Sequence, residues 1–357
     1  MDKKTVLVTG ATGNMGYQSL LQMKGDLKNY NIRLVARDSE KNHKILAEYE
    51  HLDGLEIVWG DLDDYEIVKK AVRGVDLILH IAAFVSPFAD YYPKKAMIVN
   101  LGSTYNLIQA IKELHQNETT YFVYIGTVAE TGDRMPPIHW GRVGDPIKPS
   151  MFDYYAVSKV AAERYVIESG LKHWASLRQT GIIGKGMAKI EDAIMFHNCL
   201  DTALEYVSDR DSGRAMRNLT YEFFNHELPT SFWNHIYNIG GGEKCRINTY
   251  KLYQDMYGRF NLTHLEYVLN PSIIATRNFH GQYYLDSDKL ENYLHFQQDS
   301  MDYFYDCFQE TMGFSFHALK VICKMPGGQK MIGSIMKKRF EKLAMTEHGT
   351  IHFLKDN

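Results

Sequence analysis

The sequence predicts an α/β fold with a doubly wound parallel sheet, followed by a smaller and mostly helical C-terminal lobe. Three observations predict this fold. Buried-type strands alternate with helices up to about residue 180, a glycine-rich turn follows the first strand, and the alternation stops in the second half. Strands that are apolar along their whole length are typical of parallel sheets covered on both faces. A chain of 357 residues can hold such a domain and a second lobe.

Apolar, β-branched stretches alternate with helical patterns in the first half of the chain. The predicted strands are 5–9, 32–36, 55–59, 75–81, 121–125 and 174–177, and the predicted helices are 14–24, 39–49, 65–72, 94–116 and 154–169. A further short strand is predicted at 237–239. We therefore expect a Rossmann domain over 1–180 and a substrate lobe over 181–357, with 237–258 as a candidate for return to the first domain.

The composition excludes several classes of partner. The net charge is −3 at pH 7, so no positive field would attract nucleic acid, and we expect a small-molecule substrate. The sequence shows no signal-peptide pattern, and its longest nearly apolar run, 77–85, is far shorter than a membrane span. We therefore expect a cytoplasmic protein. The four cysteines and fifteen histidines lack ligand spacing, so we predict no metal site.

A glycine-rich turn separates the first predicted strand from the first predicted helix. Gly10, Gly13 and Gly16 have the spacing G-x-x-G-x-x-G. Glycine is needed here for a tight turn, for close approach of the backbone to a pyrophosphate, and for close packing of helix on strand. The phosphates would contact the free N–H groups at the helix N-terminus, where the helix dipole favours negative charge. The turn therefore predicts a dinucleotide cofactor.

The residues after the second strand bear on the choice between the two nicotinamide dinucleotides. An acidic residue at this strand end binds the ribose hydroxyl of NAD(H), whereas a basic residue accommodates the 2′-phosphate of NADP(H). Arg37 lies here, and its guanidinium suits bidentate contact with a phosphate. We therefore favour NADP(H) over NAD(H). The alternative stays open because Asp38 follows directly and is placed to reach a hydroxyl.

Tyr155 and Lys159 are the predicted centre of the chemistry. They lie four residues apart at the start of a predicted helix and therefore on one face of it. An ammonium group nearby, together with the positive nicotinamide ring, is expected to lower the pKa of the phenol, so that it exchanges a proton with substrate as hydride moves. Two other Tyr/Lys pairs have this interval, but only this pair follows the fifth strand. Thr127, just past that strand, is placed to donate to a substrate oxygen.

Seven short motifs occur in a fixed order along the chain. They are 9–16 (TGATGNMG), 60–62 (GDL), 80–83 (HIAA), 100–107 (NLGSTYNL), 155–159 (YAVSK), 177–181 (LRQTG) and 237–242 (YNIGGG). Together they resemble the extended short-chain dehydrogenase/reductase family, also called the NAD-dependent epimerase/dehydratase family. The resemblance is dense over about 5–184 and then limited to the last motif.

The resemblance implies the site residues. Thr127, Tyr155 and Lys159 would be catalytic. The implied cofactor contacts are Gly10, Thr12, Gly13, Asn14, Met15, Gly16, Arg37, Asp61, Leu62, Ala82, Ala83, Asn100, Tyr155, Lys159, Gln179 and Thr180. Two positions depart from the family pattern, because Gln179 replaces a usual proline and Gly126 stands where many members carry a second hydroxyl residue.

The leading functional hypothesis is hydride transfer between nicotinamide and a secondary alcohol or ketone. The Met and aromatic residues of the second half, and the resemblance to members acting on hydroxysteroids, favour a bulky apolar substrate. One alternative is a nucleotide-sugar epimerase or dehydratase, whose diphosphate would need cations such as Arg210, Arg214 and Arg217. Dehydration is disfavoured because no Asp-Glu pair follows Thr127. A second alternative is a non-catalytic NADP(H)-binding regulator, although such proteins typically lose the Tyr/Lys pair.

Three further features remain open at this level. The Pro- and Gly-rich segment 133–149 is either an active-site rim or a rigid connector. The segment 328–345 forms a basic amphipathic helix that either packs on the lobe or lies on a membrane surface. The resemblance also implies a homodimer formed through the helices that carry Asn100 and Tyr155.

Overall fold

The computed structural model describes residues 3–345 except Met135, Phe152 and Asn278, so 346–357 of the predicted lobe lie outside the described part. Within it the strands are β1 (Thr5–Thr9), β2 (Asn31–Ala36), β3 (Leu55–Trp59), β4 (Leu77–His80), β5 (Tyr121–Thr127), β6 (Trp140–Gly141), β7 (Trp174–Gln179), β8 (Ile182–Ile183), β9 (Ala203–Glu205), β10 (Val207–Ser208), β11 (His235–Ile239), β12 (Arg246–Asn248) and β13 (Tyr283–Tyr284).

The helices cover both faces of the sheet and form most of the C-terminal part. They are α1 (Asn14–Met23), α2 (Glu40–Leu46), α3 (Tyr65–Val72), α4 (Phe88–Tyr91), α5 (Pro93–Ala96), α6 (Ser103–Glu113), α7 (Tyr154–Ile167), α8 (Lys185–Ala188), α9 (Asp209–Phe224), α10 (Thr249–Gly258), α11 (Asp288–Leu294), α12 (Met301–Met312), α13 (Phe314–Ile322) and α14 (Gly328–Ala344). No helix among the described residues is long and apolar enough to cross a bilayer.

Seven parallel strands form the central sheet, in the order β11-β7-β5-β4-β1-β2-β3. The strand order reverses between β1 and β4, so a crevice opens there at the carboxyl edge of the sheet, where such folds bind ligands. This sheet and the helical C-terminal part confirm the predicted fold class. The short pairs β8/β10, β9/β12 and β6/β13 lie outside it.

The inner strands of the sheet are buried on both sides because helices cover both faces of the sheet. Val6 and Val8 face a core shared with α1, whereas Leu7 faces a second core shared with α3, α6 and α7. All three side chains are fully buried. This two-sided burial explains why the strands are continuously apolar instead of alternating.

The long helix predicted at 94–116 is built from three consecutive pieces. Pro93 occupies the first turn of α5, where its missing N–H group costs nothing. A π-helical turn at Met97–Gly102 then leads directly into α6. Such turns often mark functional sites, and this one carries Asn100.

Two elements of the second half pack on the first-half sheet and its helices. β11 pairs in parallel with β7 and extends the sheet. Helix α9 packs on α1 and buries Ala215, Met216 and Leu219 in the core that contains Val6. A Cβ atom on Gly213 would lie 2.6 Å from the backbone of Gln18, so the glycine permits this close approach. Helices α10, α12, α13 and α14 enclose a separate apolar core.

Candidate active site

The glycine turn has the conformation that a phosphate-binding loop requires. Gly10 has φ of +73°, and a Cβ atom there would lie 2.7 Å from the Ala82 nitrogen. A Cβ atom on Gly16 would lie 2.1 Å from the Gly10 oxygen, so this glycine lets α1 pack against the turn. Gly13 is instead exposed, as is Asn14 at the first position of α1. The helix N-terminus is therefore open to an anion.

A cavity of about 580 Å³ lies at the ends of β2 and β3, and its lining includes Arg37, Asp38 and Asp61. Arg37 is exposed and forms no ion pair with any described residue. Asp38 is held by His43, whose Nε2 lies 2.8 Å from its Oδ1, and the His43 ring stacks on Trp59 at 3.8 Å. Arg37 therefore lines this end of the cleft as an unpaired guanidinium, together with the carboxylates of Asp38 and Asp61.

A buried chain of hydrogen bonds fixes the turn after β4. Thr9 Oγ1 accepts the N–H groups of Ile81 and Ala82 at 3.1 Å and therefore donates its own proton to His80 Nδ1 at 2.9 Å. His80 Nε2 in turn lies 3.1 Å from Thr104 Oγ1. Burial lowers the pKa of His80 to about 3, so the ring is neutral. The histidine is structural and holds the predicted contact segment at Ala82 against the glycine turn.

Thr127 and Tyr155 meet at the carboxyl end of β5. Thr127 ends β5 and caps the following turn, with its Oγ1 accepting the Ala129 N–H at 3.2 Å. Because this oxygen accepts there, its proton is free to be donated, and the adjacent Thr127 hydroxyl acts to lower the pKa of Tyr155. Burial is the larger effect, however, and raises the pKa of Tyr155 above its usual range. The lowering of this pKa expected from Lys159 together with the nicotinamide ring stays a prediction.

Lys159 lies on the same face of α7 as Tyr155 and is 2% exposed. Its Nζ lies 4.1 Å from the centre of the Tyr124 ring, and the Tyr124 hydroxyl donates to the Lys159 carbonyl at 3.2 Å. Burial lowers the pKa of Lys159 to about 8, against the opposing attraction of Glu130 and Glu163. The ammonium is therefore charged at neutral pH yet close to its titration range.

A buried group of charges beneath Thr127 was not predicted from the sequence. Glu130 accepts the Thr127 N–H at 2.9 Å and lies 3.3 Å from Arg178, whose guanidinium also binds Glu163 at 2.6 Å. Burial and the Glu163 carboxylate raise the pKa of Glu130, whereas Glu163 itself is stabilised as the anion by hydrogen bonds from Arg178. The cluster fixes the backbone that presents the Thr127 hydroxyl.

Gly126 is explained by this cluster. A Cβ atom at this position would lie 3.0 Å from Glu130 Oε1, 3.1 Å from Arg178 Cγ and 3.2 Å from Glu163 Oε1. The absence of a side chain therefore makes room for a second buried carboxyl group. The departure from the family pattern at 126 and the glutamate at 130 form one arrangement. The short separation of the two positions, four residues, was the only sign of this arrangement in the sequence.

Asn100 acts through its neighbours in the described structure. Its Oδ1 accepts the Phe84 N–H at 2.7 Å, and its Nδ2 donates to the Phe84 carbonyl at 3.0 Å and to Ser158 at 2.8 Å. The side chain thus ties the segment after β4 to the helix that carries Tyr155. Its predicted role as a cofactor contact remains a proposal.

Two carboxyl groups hold the start of α7. Asp153 caps the helix, and Asp90 accepts the Tyr155 N–H at 3.1 Å. The other oxygen of Asp153 lies 3.3 Å from His280 Nδ1, in the C-terminal half. Burial, together with the charge of Asp153, raises the pKa of Asp90 to about 6. The position of Tyr155 is therefore set from three separate segments of the chain.

The other predicted cofactor residues are spread along the carboxyl edge. Leu62 and Thr180 are buried, and Gln179 hydrogen-bonds its own neighbour, the Thr180 carbonyl, at 3.1 Å. Thr12 and Ala83 are half-buried, and Met15 is buried under the glycine turn. The role of each residue toward a cofactor remains a proposal.

The three arginines considered for a substrate diphosphate are engaged elsewhere. Arg210 pairs with Asp299, Arg214 with Asp211, and Arg217 with Asp26. All three lie on α9, which packs on α1. The suggestion that they bind a diphosphate is therefore not supported by their positions.

The comparisons with known proteins agree with this geometry. Residues 7–212 match the 3-beta hydroxysteroid dehydrogenase/isomerase family. The chain belongs to that family, and the predicted membership of the extended short-chain dehydrogenase/reductase family is confirmed.

Two relatives illustrate the range of similarity. UDP-glucose 4-epimerase of Rickettsia akari is 32% identical over 111 residues, which are 30% of this chain and 32% of the relative. The 3 beta-hydroxysteroid dehydrogenase/Delta 5-->4-isomerase of Mycobacterium tuberculosis is 28% identical over 210 residues, which are 56% of this chain and 51% of the relative. The matched segments thus span about a third to a half of these relatives.

Solved structures resemble a larger part of the chain. The Bordetella bronchiseptica enzyme WbmH in complex with NAD+ has a TM-score of 0.62 at 18% identity, covering 87% of this chain and 98% of that one. UDP-glucose 4-epimerase of Thermotoga maritima with UDP-glucose has a TM-score of 0.63 at 16% identity, covering 87% and 100%. At such identities the likeness shows a shared fold.

Proposed function

We propose that the protein is an NAD(P)(H)-dependent oxidoreductase that transfers hydride between nicotinamide and a secondary alcohol or ketone. One observation carries the proposal. The Tyr155 phenol lies beside the Thr127 hydroxyl and shares a helix face with buried Lys159, at the carboxyl end of β5. An acid, a hydrogen-bond donor and a fixed cation at one site are the groups that carbonyl reduction requires.

The chemistry follows from the protonation states of these groups. The bound dinucleotide supplies or accepts the hydride. In the direction of reduction, Tyr155 is protonated because burial raises its pKa, and it gives its proton to the carbonyl oxygen. Thr127 donates a second hydrogen bond to that oxygen. Lys159 stabilises the phenolate that remains, since opposite charges nearby favour the ionised form.

The cleft fits a dinucleotide in two places. The exposed N-terminus of α1 at Gly13 and Asn14 suits the pyrophosphate. The cavity lined by Arg37 suits the adenosine ribose, and its unpaired guanidinium supports NADP(H) over NAD(H). The engagement of Asp38 by His43 supports the same preference.

Exposed apolar side chains beside the start of α7 support a bulky apolar substrate, such as a hydroxysteroid or related ketone. Val85 and Phe88 follow β4 and are 51% and 58% exposed, and Met151 and Tyr154 precede Tyr155 and are 76% and 38% exposed. Helix α4, which begins with Phe88, packs against α7. Exposed apolar groups gathered beside a reactive centre are typical of a binding surface.

A nucleotide-sugar epimerase is the second candidate, since the epimerase of Rickettsia akari matches this chain at 32% identity. In that reaction hydride leaves the substrate and returns, so the same three catalytic groups would serve. The engagement of the α9 arginines counts against it.

The discriminating experiment combines a substrate panel with one substitution. NADPH and NADH are incubated separately with the protein and with ketones, steroids or nucleotide sugars. Net oxidation of cofactor supports the oxidoreductase, whereas sugar interconversion without net oxidation supports the epimerase. Tyr155→Phe should lose about 10²- to 10⁴-fold in turnover while cofactor binding is retained. Tyr154→Phe is the matched control. Cofactor binding without turnover in the parent protein, left unchanged by Tyr155→Phe, would instead support a non-catalytic regulator.

We also propose a homodimer formed through α6 and α7. The exposed apolar residues Ile98, Tyr105 and Val157 lie on or directly before these helices and are 58%, 48% and 43% exposed. Together they give the two helices an outward apolar surface of the kind that helix pairing between subunits buries.

A further inference from the structure

Helices α13 and α14 expose large apolar side chains to solvent. With the connection between them they form the C-terminal hairpin, residues 314–345. On α13 Phe314 and Val321 are 87% and 57% exposed, and on α14 Met331 and Ile335 are 52% and 59% exposed. The pairs are separated by seven and four residues, so each pair lies on one face of its helix. Single exposed apolar residues are common, but two adjoining helices with apolar outer faces are unusual for a surface in water.

The two helices contact each other and pack on a common core. The opposite face of each helix packs into the same core. The end of α13 and α13 itself contribute Cys323 and Phe316, and α14 contributes Ile332 and Phe340. Gly328 adjoins the end of α13, since a Cβ atom there would lie 1.8 Å from the Ile322 oxygen. Each helix therefore buries one face in this core and leaves its apolar outer face exposed.

The C-terminal hairpin is also strongly cationic. Residues 314–345 include seven Lys or Arg residues and one acidic residue, Glu341. Arg339 pairs with Glu191, and it is the one cation of the hairpin that meets a carboxylate among the described residues. Lys338 and Lys342 continue the exposed stripe begun by Met331 and Ile335, with spacings of three and four residues. Apolar and cationic side chains therefore share the exposed face of α14.

We propose that the C-terminal hairpin binds the surface of a membrane that contains anionic lipids. The apolar side chains would enter the boundary between headgroups and acyl chains, and the lysines would contact lipid phosphates. Neither contribution suffices alone, since stable membrane attachment requires two signals. The hairpin would thus hold the protein where apolar substrates concentrate, which goes beyond the proposed reaction and does not depend on it.

The test uses the full chain and sedimentation with vesicles. The vesicles are phosphatidylcholine alone, or phosphatidylcholine with 30 mol% phosphatidylglycerol as a chosen probe. We expect binding to the anionic vesicles only, with loss at high salt because surface attraction is screened. Lys330→Glu with Lys338→Glu should weaken binding at least about 25-fold, since each lysine near an anionic surface contributes about fivefold. Phe314→Ser with Ile335→Ser should also weaken it.

Matched controls separate the hairpin from general effects. Lys28→Glu with Lys112→Glu gives the same change in net charge at exposed lysines elsewhere. Ile138→Ser with Leu285→Ser removes residues that are 62% and 59% exposed, outside the hairpin. Both controls should bind vesicles as the parent protein does. No binding to anionic vesicles at low salt, or equal losses in the controls, would overturn the proposal. So would a concentration-dependent doubling of mass abolished by Phe314→Ser with Ile335→Ser, since the surface would then join two copies of this chain.

Discussion

Replacing Gly126 with serine tests whether the buried charge cluster requires the space that glycine leaves. The new Cβ atom would lie 3.0 to 3.2 Å from Glu130, Arg178 and Glu163, tighter than ordinary contact at three atoms at once. Overpacking of this kind costs about 1–3 kcal/mol. The φ angle of Gly126 is not in the left-handed region, so the cost comes from packing and not from backbone strain. We therefore expect the free energy of unfolding to fall by about 1–3 kcal/mol.

The double variant provides the decisive comparison. Glu130→Val alone should cost about 1–3 kcal/mol, because it leaves the buried Thr127 N–H without its acceptor. In the double variant Gly126→Ser with Glu130→Val, the serine occupies the space that the glutamate side chain leaves. The double variant should therefore lose about 1 kcal/mol or more less stability than the sum of the two single losses. Urea unfolding of the four proteins measures this coupling. Gly258→Ser is the control, since a Cβ atom there meets nothing within 4 Å. Losses that add to within about 0.5 kcal/mol would refute the reasoning.

The remaining predictions concern pH, cofactor choice and assembly. Because the pKa of Asp90 is raised to about 6, the folded protein keeps a proton that the unfolded chain releases near pH 4, and this stabilisation is lost as pH rises through 6. As pH rises from 4 to 6, Asp90→Asn should therefore become more stable relative to the parent protein, by about 1.4 kcal/mol per unit of pKa displacement. A difference in their free energies of urea unfolding that stays constant across this range would contradict the prediction. Arg37→Ala should weaken NADPH binding about tenfold to hundredfold and leave NADH nearly unchanged, measured by calorimetry; equal losses for both cofactors would remove the argument for NADP(H). Val157→Glu should convert the proposed dimer to a monomer by light scattering, and an unchanged mass would exclude this interface.

The first half of the fold was predictable because its signals are local. Thr5–Thr9 and Leu55–Trp59 match the predicted strands to the residue, and Gly10 and Gly16 have the close contacts that their spacing implied. The packing of α9 on α1 was not predicted, because it depends on a contact between residues 195 positions apart, at Gln18 and Gly213.

The site was predictable in its reacting groups and less so in what supports them. Tyr155 and Lys159 are linked by helical spacing, which a sequence displays directly. Glu130 and Arg178 are 48 positions apart, and only the pairing of β5 with β7 brings them together. The direction of the Tyr155 pKa shift depends on burial, which no spacing reveals. The sequence therefore leaves two things undetermined: which distant side chains meet in the fold, and how deeply each of them is buried.

The arrangement of the phenol beside the cofactor is tested most directly by a crystal structure of the protein with oxidised and reduced dinucleotide. We expect the pyrophosphate on the N-terminus of α1 and the nicotinamide C4 face opposite the Tyr155 hydroxyl, leaving room for a substrate carbon at about 3–3.5 Å from C4. The adenosine ribose should contact Arg37. A nicotinamide ring turned away from Tyr155, or a dinucleotide bound outside the glycine turn, would contradict the proposed chemistry.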